Sequence, residues 1–304
     1  MCGEALIDLT HGTADAPMHY VGHEGGGPCN TAVALGRLGT RTGFLGRISN
    51  DRFGQALRAH MNQSGVDLRY VASSSEPSML AVATISEAGN AEYAFYLDGT
   101  ADVGLSADAL PILADSVKAL HFGTLALALE PVGSALVALA TRESRRRLIA
   151  LDPNVRMIAI RNVEAYRKRI EALVSLADVV KMSDADIAAL WPAATIDDTA
   201  QRLFRSGPAL LCVTRGGDGC TVFHQDQRSE VAAEKVAVVD TIGAGDTFNA
   251  GLLHDLMARG ASSSDAITAL STNEIRDCVS FAVRAAAVTC SRAGANPPWA
   301  HEVQ

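Results

Sequence analysis

The sequence of 304 residues has little lysine and few aromatic residues, and it lacks the common phosphate-binding loop. Its lysines are Lys118, Lys168, Lys181 and Lys235, and none of them follows a glycine. The loop of P-loop proteins needs the order Gly-Lys-Ser/Thr, because backbone amides and the lysine hold the phosphates together. Any phosphate chemistry in this chain must therefore use another device.

Positive charge and paired cysteines are also scarce. Lys and Arg number 26 against 34 Asp and Glu, which gives a net charge of −8, and no run of one sign is longer than Arg145–Arg147. This balance argues against nucleic acid or an anionic membrane as a partner. The six cysteines never form a Cys-x-x-Cys pair and are too sparse for a disulfide framework, so we expect free thiols in a reducing cytosol.

Long hydrophobic runs are absent as well. A stretch such as Leu125–Leu129 ends at Glu130-Pro131, well short of the roughly 20 residues that a membrane span needs. Met1–Glu4 lacks the basic and then apolar pattern of a signal peptide. Because 48% of the residues are hydrophobic, a sizeable core is available. We expect a soluble, cytoplasmic protein with a single domain over residues 1–304.

Apolar runs of strand length alternate with segments of helical period through most of the chain. This alternation predicts an α/β fold with a largely parallel sheet covered by helices. The predicted buried strands are Ala119–Leu125, Leu148–Leu151, Asp178–Lys181, Ala209–Thr214 and Val236–Val239. The predicted helices are Asn30–Leu38, Phe53–Gln63, Val132–Arg147, Val163–Leu176, Thr247–Arg259 and Glu274–Cys290.

One region breaks this alternation. Met79–Ile85 and Ala91–Leu97 are two β-type runs, and Glu87–Asn90 between them is a hairpin signal. They predict a small sheet apart from the main one, formed by insertions at about residues 10–21 and 78–100. A lid over a site is one interpretation, and an ordinary surface hairpin is the other.

The most informative segment runs from Val239 to Gly251. A strand is predicted to end at Val239 and a helix to begin at about Asp246, so the amides of Gly243–Gly245 would join the positive end of that helix as an anion site. Asp246 could be an N-cap, or it could be a base that accepts the proton of a hydroxyl attacking a phosphoryl group. A second acid at the strand end, Asp240, favours a site.

A second glycine-rich segment, Gly25–Asn30, leads into the first predicted helix. The dinucleotide fingerprint needs a third glycine, but Asn30 stands there, and Phe248 stands at the equivalent place in the later segment. The glycines are better explained by a small polar ligand that approaches the backbone closely, with the Asn30 amide as hydrogen-bond donor and acceptor. A simple tight turn is the alternative.

Further polar residues are predicted at the carboxyl ends of strands, where α/β sheets bind ligands. Asp8 and Asp152 could each accept two hydroxyl protons from a polyol, although aspartate there is also common turn chemistry. Thr214–Gly219 could approach phosphates or ribose, or form a hairpin. Lys181–Asp186 could hold hydrated Mg²⁺, or cap a helix.

Together these segments resemble the ribokinase-like, or PfkB-type, carbohydrate kinases, and among them the fructokinases. Asp240–Asp246 is similar to the C-terminal signature of that family, Gly25–Asn30 to its N-terminal glycine signature, and Thr214–Gly219 to its Thr-x-Gly-x-x-Gly element. Gly3–Asp8 and Leu151–Arg156 resemble fructokinases in particular. The order of the signatures matches, and the resemblance covers nearly the whole chain.

The resemblance implies a three-layer α/β/α sandwich with a mostly parallel central sheet and a small β-sheet lid. It implies an ATP-dependent sugar kinase that converts fructose to fructose 6-phosphate, with ATP and sugar on opposite sides of Gly243–Gly245. Ribose, 2-keto-3-deoxygluconate or a nucleoside stays open as the acceptor. A catalytically silent sugar or nucleotide sensor, and an α/β protein that binds no nucleotide, are alternatives of a different class.

The resemblance also implies residue roles, Mg²⁺ and K⁺ as ions, and a homodimer through the lid. The family's Asn-x-x-Glu element falls at Ser183–Asp186, so both of its defining residues differ here. The implied catalytic residues are Asp246, Gly243, Ala244 and Gly245. The implied substrate-binding residues are Asp8, Gly26, Gly27, Asn30, Asn154 and Arg156, and those facing the nucleotide are Lys181, Ser183, Thr214, Gly216 and Gly219. Asp186 is implied for Mg²⁺, and Asp240, Ile242 and Gly294 for a monovalent cation.

Overall fold

In the computed structural model the chain is described over residues 1–11, 19–85 and 91–303. The strands are β1 (Leu6–His11), β2 (Tyr20–Gly25), β3 (Gly43–Ser49), β4 (Asp67–Ser74), β5 (Leu80–Ile85), β6 (Ala91–Tyr96), β7 (Ala119–Gly123), β8 (Leu148–Asp152), β9 (Val179–Ser183), β10 (Leu210–Thr214), β11 (Cys220–His224) and β12 (Gln227–Val231). The helices are α1 (Gly27–Arg37), α2 (Arg52–Gln63), α3 (Val132–Glu143), α4 (Val163–Val174), α5 (Asp184–Leu190), α6 (Ile196–Phe204), α7 (Ala244–Ala258), α8 (Ser264–Thr268) and α9 (Thr272–Cys290).

The central sheet has the order β12-β11-β10-β9-β8-β7, and β3 and β4 continue it. Cys2 joins the two parts, because it forms isolated parallel bridges with Phe122 of β7 and with Leu45 of β3. Strands β7 to β10 pair in parallel, and β11 and β12 add antiparallel edges. The predicted α/β architecture is confirmed.

Helices cover both faces of this sheet, which makes three layers. Along β8, Ile149 packs in a core with residues of α3 and α4, whereas Leu148 packs in a second core with residues of α1, α7 and α9. All five residues of β8 are buried. A strand buried on both faces is a continuous apolar run, which is how the sequence identified it.

A second sheet of four strands has the order β2-β1-β5-β6. It contains the two runs predicted for residues 78–100, since β5 and β6 pair antiparallel. The predicted turn at Glu87–Asn90 lies outside the described residues, as do residues 12–18 of the other predicted insertion. Strand β1 was not expected in this sheet: it pairs antiparallel with β2 and parallel with β5. The lid function of this sheet stays a prediction.

The predicted strand Val236–Val239 is wrong. This segment is an exposed loop, and Val238 and Val239 are each 64% accessible. Its run of β-branched residues favours a strand, but a strand also needs a partner edge, and the Val239 N–H donates instead to the carbonyl of Cys290 in α9. The following helix begins at Ala244, two residues earlier than predicted.

All six cysteines are free thiols, as the sequence predicted. Among the described residues, no helix combines the length and the apolar character needed to cross a bilayer. A location in the cytoplasm stays a prediction.

Candidate active site

A cavity of about 640 Å³ lies where the carboxyl ends of β7 to β10 meet the small sheet. The small sheet contributes Leu6, Asp8, Thr10 and Phe95 to its wall. The predicted site residues that line it are Asp8, Gly26, Gly27, Asn30, Asn154, Arg156, Lys181, Ser183, Thr214, Ile242, Gly243, Gly245 and Asp246. Those that do not line it are Ala244, Asp186, Gly216, Gly219, Asp240 and Gly294. Residues more than 200 positions apart thus meet at the edge of the sheet where α/β proteins bind ligands.

The amino end of α7 forms one side of this cavity. Gly243 precedes the helix with a left-handed backbone, φ 76° and ψ 0°. The next N–H groups, of Gly245 and Asp246, have no intrahelical acceptor, as in the first turn of any helix, and they carry the positive end of the helix dipole. A Cβ on Gly243 would lie 2.8 Å from that of Ala295, so the turn also has no space for a side chain. This geometry can bind an anion such as a phosphoryl group.

Asp246 stands at the third position of α7, and Gly243 is the N-cap, so the N-cap reading of Asp246 is wrong. Asp246 is 7% exposed, and its carboxylate accepts a hydrogen bond of 2.9 Å from Nδ2 of Asn30. Burial raises the pKa of Asp246 to about 6, although the Asn30 bond acts in the other direction. The group is therefore mostly ionised at neutral pH and more basic than an exposed aspartate, which suits a general base.

A buried ion pair lies beside the same loop. The Lys181 ammonium is 3.0 Å from Oδ2 of Asp152, and the two side chains are 5% and 1% exposed. Burial acts to lower the pKa of Lys181, but the Asp152 and Asp186 carboxylates outweigh it and raise that pKa. A Cβ on Gly245 would lie 2.9 Å from this ammonium. Lys181 thus places a permanent positive charge next to the anion-binding turn.

Asn249 completes this group, although it was not among the residues predicted from the sequence. Its Nδ2 donates to Oδ2 of Asp152 at 2.7 Å. It stands three residues after Asp246 on α7, so both side chains project from one face of the helix. That spacing was the signal available in the sequence. Asp152, predicted for a polyol, is instead engaged with Lys181 and Asn249.

Asp8 approaches the cavity from the small sheet. The sequence placed it at the end of a strand, but it lies inside β1, opposite His23 of β2. A Cβ on Gly25 would lie 2.1 Å from its Oδ2, so glycine at that position leaves room for the carboxylate. Burial raises the pKa of Asp8 to about 6, the negative charge of Asp246 adds to this, and Arg156 opposes it. Two carboxylates therefore line one cavity, Asp8 from the small sheet and Asp246 from α7.

Asp186 has a clear structural role. It forms a capping box with Ser183 at the start of α5, in which its Oδ2 accepts from the Ser183 N–H at 2.8 Å. Its Oδ1 accepts from the Val155 N–H at 2.7 Å. Both oxygens are thus engaged by protein donors, and the described residues contain no group of three or more acidic, His or Cys side chains arranged for a metal. The assignment of Asp186 to Mg²⁺ stays a prediction.

Two predicted groups of residues lie at the margin of the cavity: the glycines of Thr214–Gly219, and the residues implied for a monovalent cation. Gly216 and Gly219, with φ of 51° and 89°, form the turn that joins antiparallel β10 and β11, so a hairpin is what this segment builds. The Asp240 carboxylate accepts from the N–H of Ile242 at 3.0 Å and of Gly294 at 2.9 Å. The three residues proposed for a monovalent cation are thus brought together, although their ion stays a prediction.

Comparison with known proteins matches residues 1–302 to the family described as pfkB family carbohydrate kinase. The chain is 39% identical to a fructokinase of Rhizobium leguminosarum bv. trifolii, over 84% of this chain and 78% of that protein. It is 33% identical to a probable fructokinase-4 of Arabidopsis thaliana, over 99% and 94% of the two. Among solved structures, a fructokinase from Xylella fastidiosa with bound ATP has a TM-score of 0.92 at 26% identity, covering 99% of this chain and 95% of that one. A fructokinase from Vibrio cholerae O395 with fructose, ADP and calcium has a TM-score of 0.83 at 27% identity, covering 97% and 92%.

Proposed function

This chain belongs to the pfkB family of carbohydrate kinases and is an ATP-dependent sugar kinase, and we propose that its acceptor is fructose, phosphorylated at O6. The observation that carries the proposal is the buried Asp246 carboxylate, which lies in one cavity with the amides of the α7 turn. The same cavity contains Asp8 and Asn30, which can hold sugar hydroxyls. The fructokinase relatives support fructose over other sugars.

In the proposed reaction Asp246 accepts the proton of the acceptor hydroxyl as its oxygen attacks the γ-phosphorus of ATP. The bond from that phosphorus to the bridging oxygen breaks, and ADP leaves with the electron pair. The amides of the α7 turn and the Lys181 ammonium stabilise the negative charge on the transferred group, because they are already oriented toward it in a buried site. Asn30 keeps the Asp246 carboxylate in place through its hydrogen bond.

We also propose Mg²⁺ as the partner of ATP. The described residues do not offer it a direct set of ligands, since Asp186 already accepts three hydrogen bonds from Ser183 and Val155. Mg²⁺ commonly keeps several waters and binds through substrate phosphates. We therefore propose that any contribution of Asp186 is made through water.

The acceptor is tested by a phosphorylation screen that includes fructose, ribose, glucose, 2-keto-3-deoxygluconate and adenosine, with ADP release as the readout. We expect fructose to give the largest kcat/KM, and NMR of the product to place the phosphate on O6. A kcat/KM for ribose or adenosine that exceeds the fructose value by about tenfold would contradict fructose as the acceptor but leave the kinase class intact.

Asp8→Ala should raise the KM for the sugar by about tenfold or more while the KM for ATP changes little, because a lost charge-assisted hydrogen bond costs roughly 1.5–3 kcal/mol. In this proposal Asp8 binds hydroxyl groups of the sugar, and the α7 turn binds the phosphates of ATP. Steady-state kinetics with each substrate varied in turn measures the two constants. Asp67→Ala is a matched control, since Asp67 is also on a strand but outside the cavity. Equal rises in both constants would contradict the assignment.

We propose that a monovalent cation binds near Asp240, Ile242 and Gly294 and orders the α7 turn. Higher activity is then expected in K⁺ than in Na⁺ at equal ionic strength, because a larger cation bound beside the α7 turn would order it. Asp240→Asn should reduce the difference between the salts. Equal rates in both salts, with other monovalent ions excluded, would count against this site.

The small sheet is proposed as a lid and as the contact of a homodimer. Val21 and Tyr96, on β2 and β6, are 40% and 62% exposed, which leaves apolar surface on this sheet. Sedimentation velocity of the wild type and of Tyr96→Asp measures the assembly. A monomeric wild type at micromolar concentration would contradict the dimer.

A further inference from the structure

The turn after β7 contains a strained residue next to the proposed acceptor site. Thr124 has φ 62° and ψ −145°, a region of backbone angles used almost only by glycine. A β-branched residue is especially unfavourable there. Thr124 is 5% exposed and lines the cavity. Surrounding contacts must hold such a residue, since a relaxed backbone would otherwise be preferred.

Glu4 provides that hold. Glu4 is 1% exposed, and its carboxyl group accepts hydrogen bonds from the Thr124 hydroxyl and, at 2.9 Å, from the Ala126 N–H. The Thr124 N–H also donates to the carbonyl oxygen of Asp152 at 3.3 Å. The strained turn is therefore hydrogen-bonded both to Glu4 and to Asp152 of β8.

The strained backbone directs the Thr124 methyl group toward Gly27. A Cβ built on Gly27 would lie 2.2 Å from Cγ2 of Thr124 and 3.2 Å from Oδ1 of Asp246. The methyl group and the proposed base thus border the same point in space. Gly27 begins α1, and Asn30 of that helix donates to Asp246. Thr124 consequently supports the element that orients the base and closes the wall beside it.

We propose that Thr124, held by Glu4, is a positioning residue that excludes water from Asp246 on the acceptor side of the cavity. Water is the competing acceptor in any kinase site, because transfer of the γ-phosphoryl group to water yields ADP and inorganic phosphate. Closed and dry sites suppress that reaction. The inference rests on the proposed function, since it concerns the acceptor that reaches Asp246.

Thr124→Gly tests this role because glycine adopts the same backbone angles without strain and removes only the side chain. We expect the rate of ATP hydrolysis without sugar, relative to the rate of sugar phosphorylation, to rise about tenfold, since a methyl-sized gap changes selectivity by ~10-fold or more. The KM for sugar should rise with it, and the KM for ATP should stay within about twofold. Phosphate release and sugar phosphate are measured in parallel.

Two further variants separate the effect of the Thr124 methyl group from the effect of the hydrogen bonds to Glu4. Thr124→Ser keeps the hydroxyl bonded to Glu4 but lacks the methyl group, so hydrolysis should increase while the melting temperature stays close to that of the wild type. Glu4→Ala removes the acceptors of both the Thr124 hydroxyl and the Ala126 N–H, so it should increase hydrolysis as Thr124→Gly does. Gln225→Gly is the matched control: Gln225 also has a positive φ of 52°, but it lies between β11 and β12.

An unchanged ratio of hydrolysis to sugar transfer in Thr124→Gly and Thr124→Ser would overturn the inference. The inference would also be overturned if the KM values for sugar and ATP rose together. The same applies if Gln225→Gly increased the ratio of ATP hydrolysis to sugar phosphorylation as much as Thr124→Gly, because a merely structural role predicts that result. A wild-type enzyme without turnover on any sugar would contradict the proposed function itself and the inference with it. The two failures are thus told apart by the wild-type assay.

Discussion

Asp246→Asn is expected to lower kcat by ~10²-fold or more, because general-base assistance is typically worth 10²–10⁴. Asparagine keeps the shape of the side chain and can still accept the bond from Asn30, but it cannot take up the proton of the acceptor hydroxyl. The fold and the KM for ATP should change little, since the amides of the α7 turn are untouched. Steady-state kinetics and thermal melting with and without ATP measure these quantities.

Asp255→Asn is the matched control for this variant. Asp255 lies on the same helix but pairs with Arg259 away from the cavity, so its kcat should stay near the wild-type value. Retention of most of the turnover in Asp246→Asn would instead assign the carboxylate a structural role.

The pH profile gives a second measure of the same group. The base must be ionised to act, and burial raises the pKa of Asp246 to about 6. The value of kcat/KM should therefore fall as the pH is lowered through about 6, and recover as the pH rises above it. Asp8, whose pKa burial also raises to about 6, titrates in the same range, so the profile is measured again in Asp8→Asn. If kcat/KM of Asp8→Asn still falls as the pH is lowered through about 6, that fall is assigned to Asp246.

Gly243→Val should reduce kcat by ~10²- to 10³-fold or more, because loss of a single oriented donor to a developing negative charge has an effect of this size. A valine at φ 76° is strained, and its Cβ would approach Ala295 at 2.8 Å, so the turn must move. The displaced amides would then no longer point at one phosphoryl group. The expected result is loss of turnover with a weaker protective effect of ATP against heat.

Gly260→Val separates this effect from backbone strain. Gly260 follows the other end of α7 with the same φ of 76°, and no atom lies within 4 Å of its Cβ position. It should lose a similar amount of stability, about 1–3 kcal/mol, and retain its activity. Nearly normal kinetics of Gly243→Val would place the phosphate elsewhere, and equal loss of activity in both variants would point to strain alone.

Local patterns were sufficient to identify the parallel strands β7 to β10 of the main sheet and most of the predicted site residues that line the cavity. Burial on both faces makes β8 and β10 continuous apolar runs, and a turn without space for side chains needs the glycines before Asp246. Both features can be recognised in the sequence because adjacent residues encode them. Val236–Val239 has the same local pattern as β10, yet it forms an exposed loop. A strand depends on a partner edge, which no window of sequence contains.

By itself the sequence determined the α/β class, the glycine turn before α7 and the position of Asp246 just after that turn, since periodicity and turn chemistry act over a few residues. Only the tertiary structure decided that Asp8 faces the cavity from within β1, that Asn30 and Asn249 hold Asp246 and Asp152, and that Asp186 caps a helix. The contact of Asn30 with Asp246 spans 216 positions. Such contacts depend on how distant elements pack, and burial then sets the pKa and the partner of each polar group.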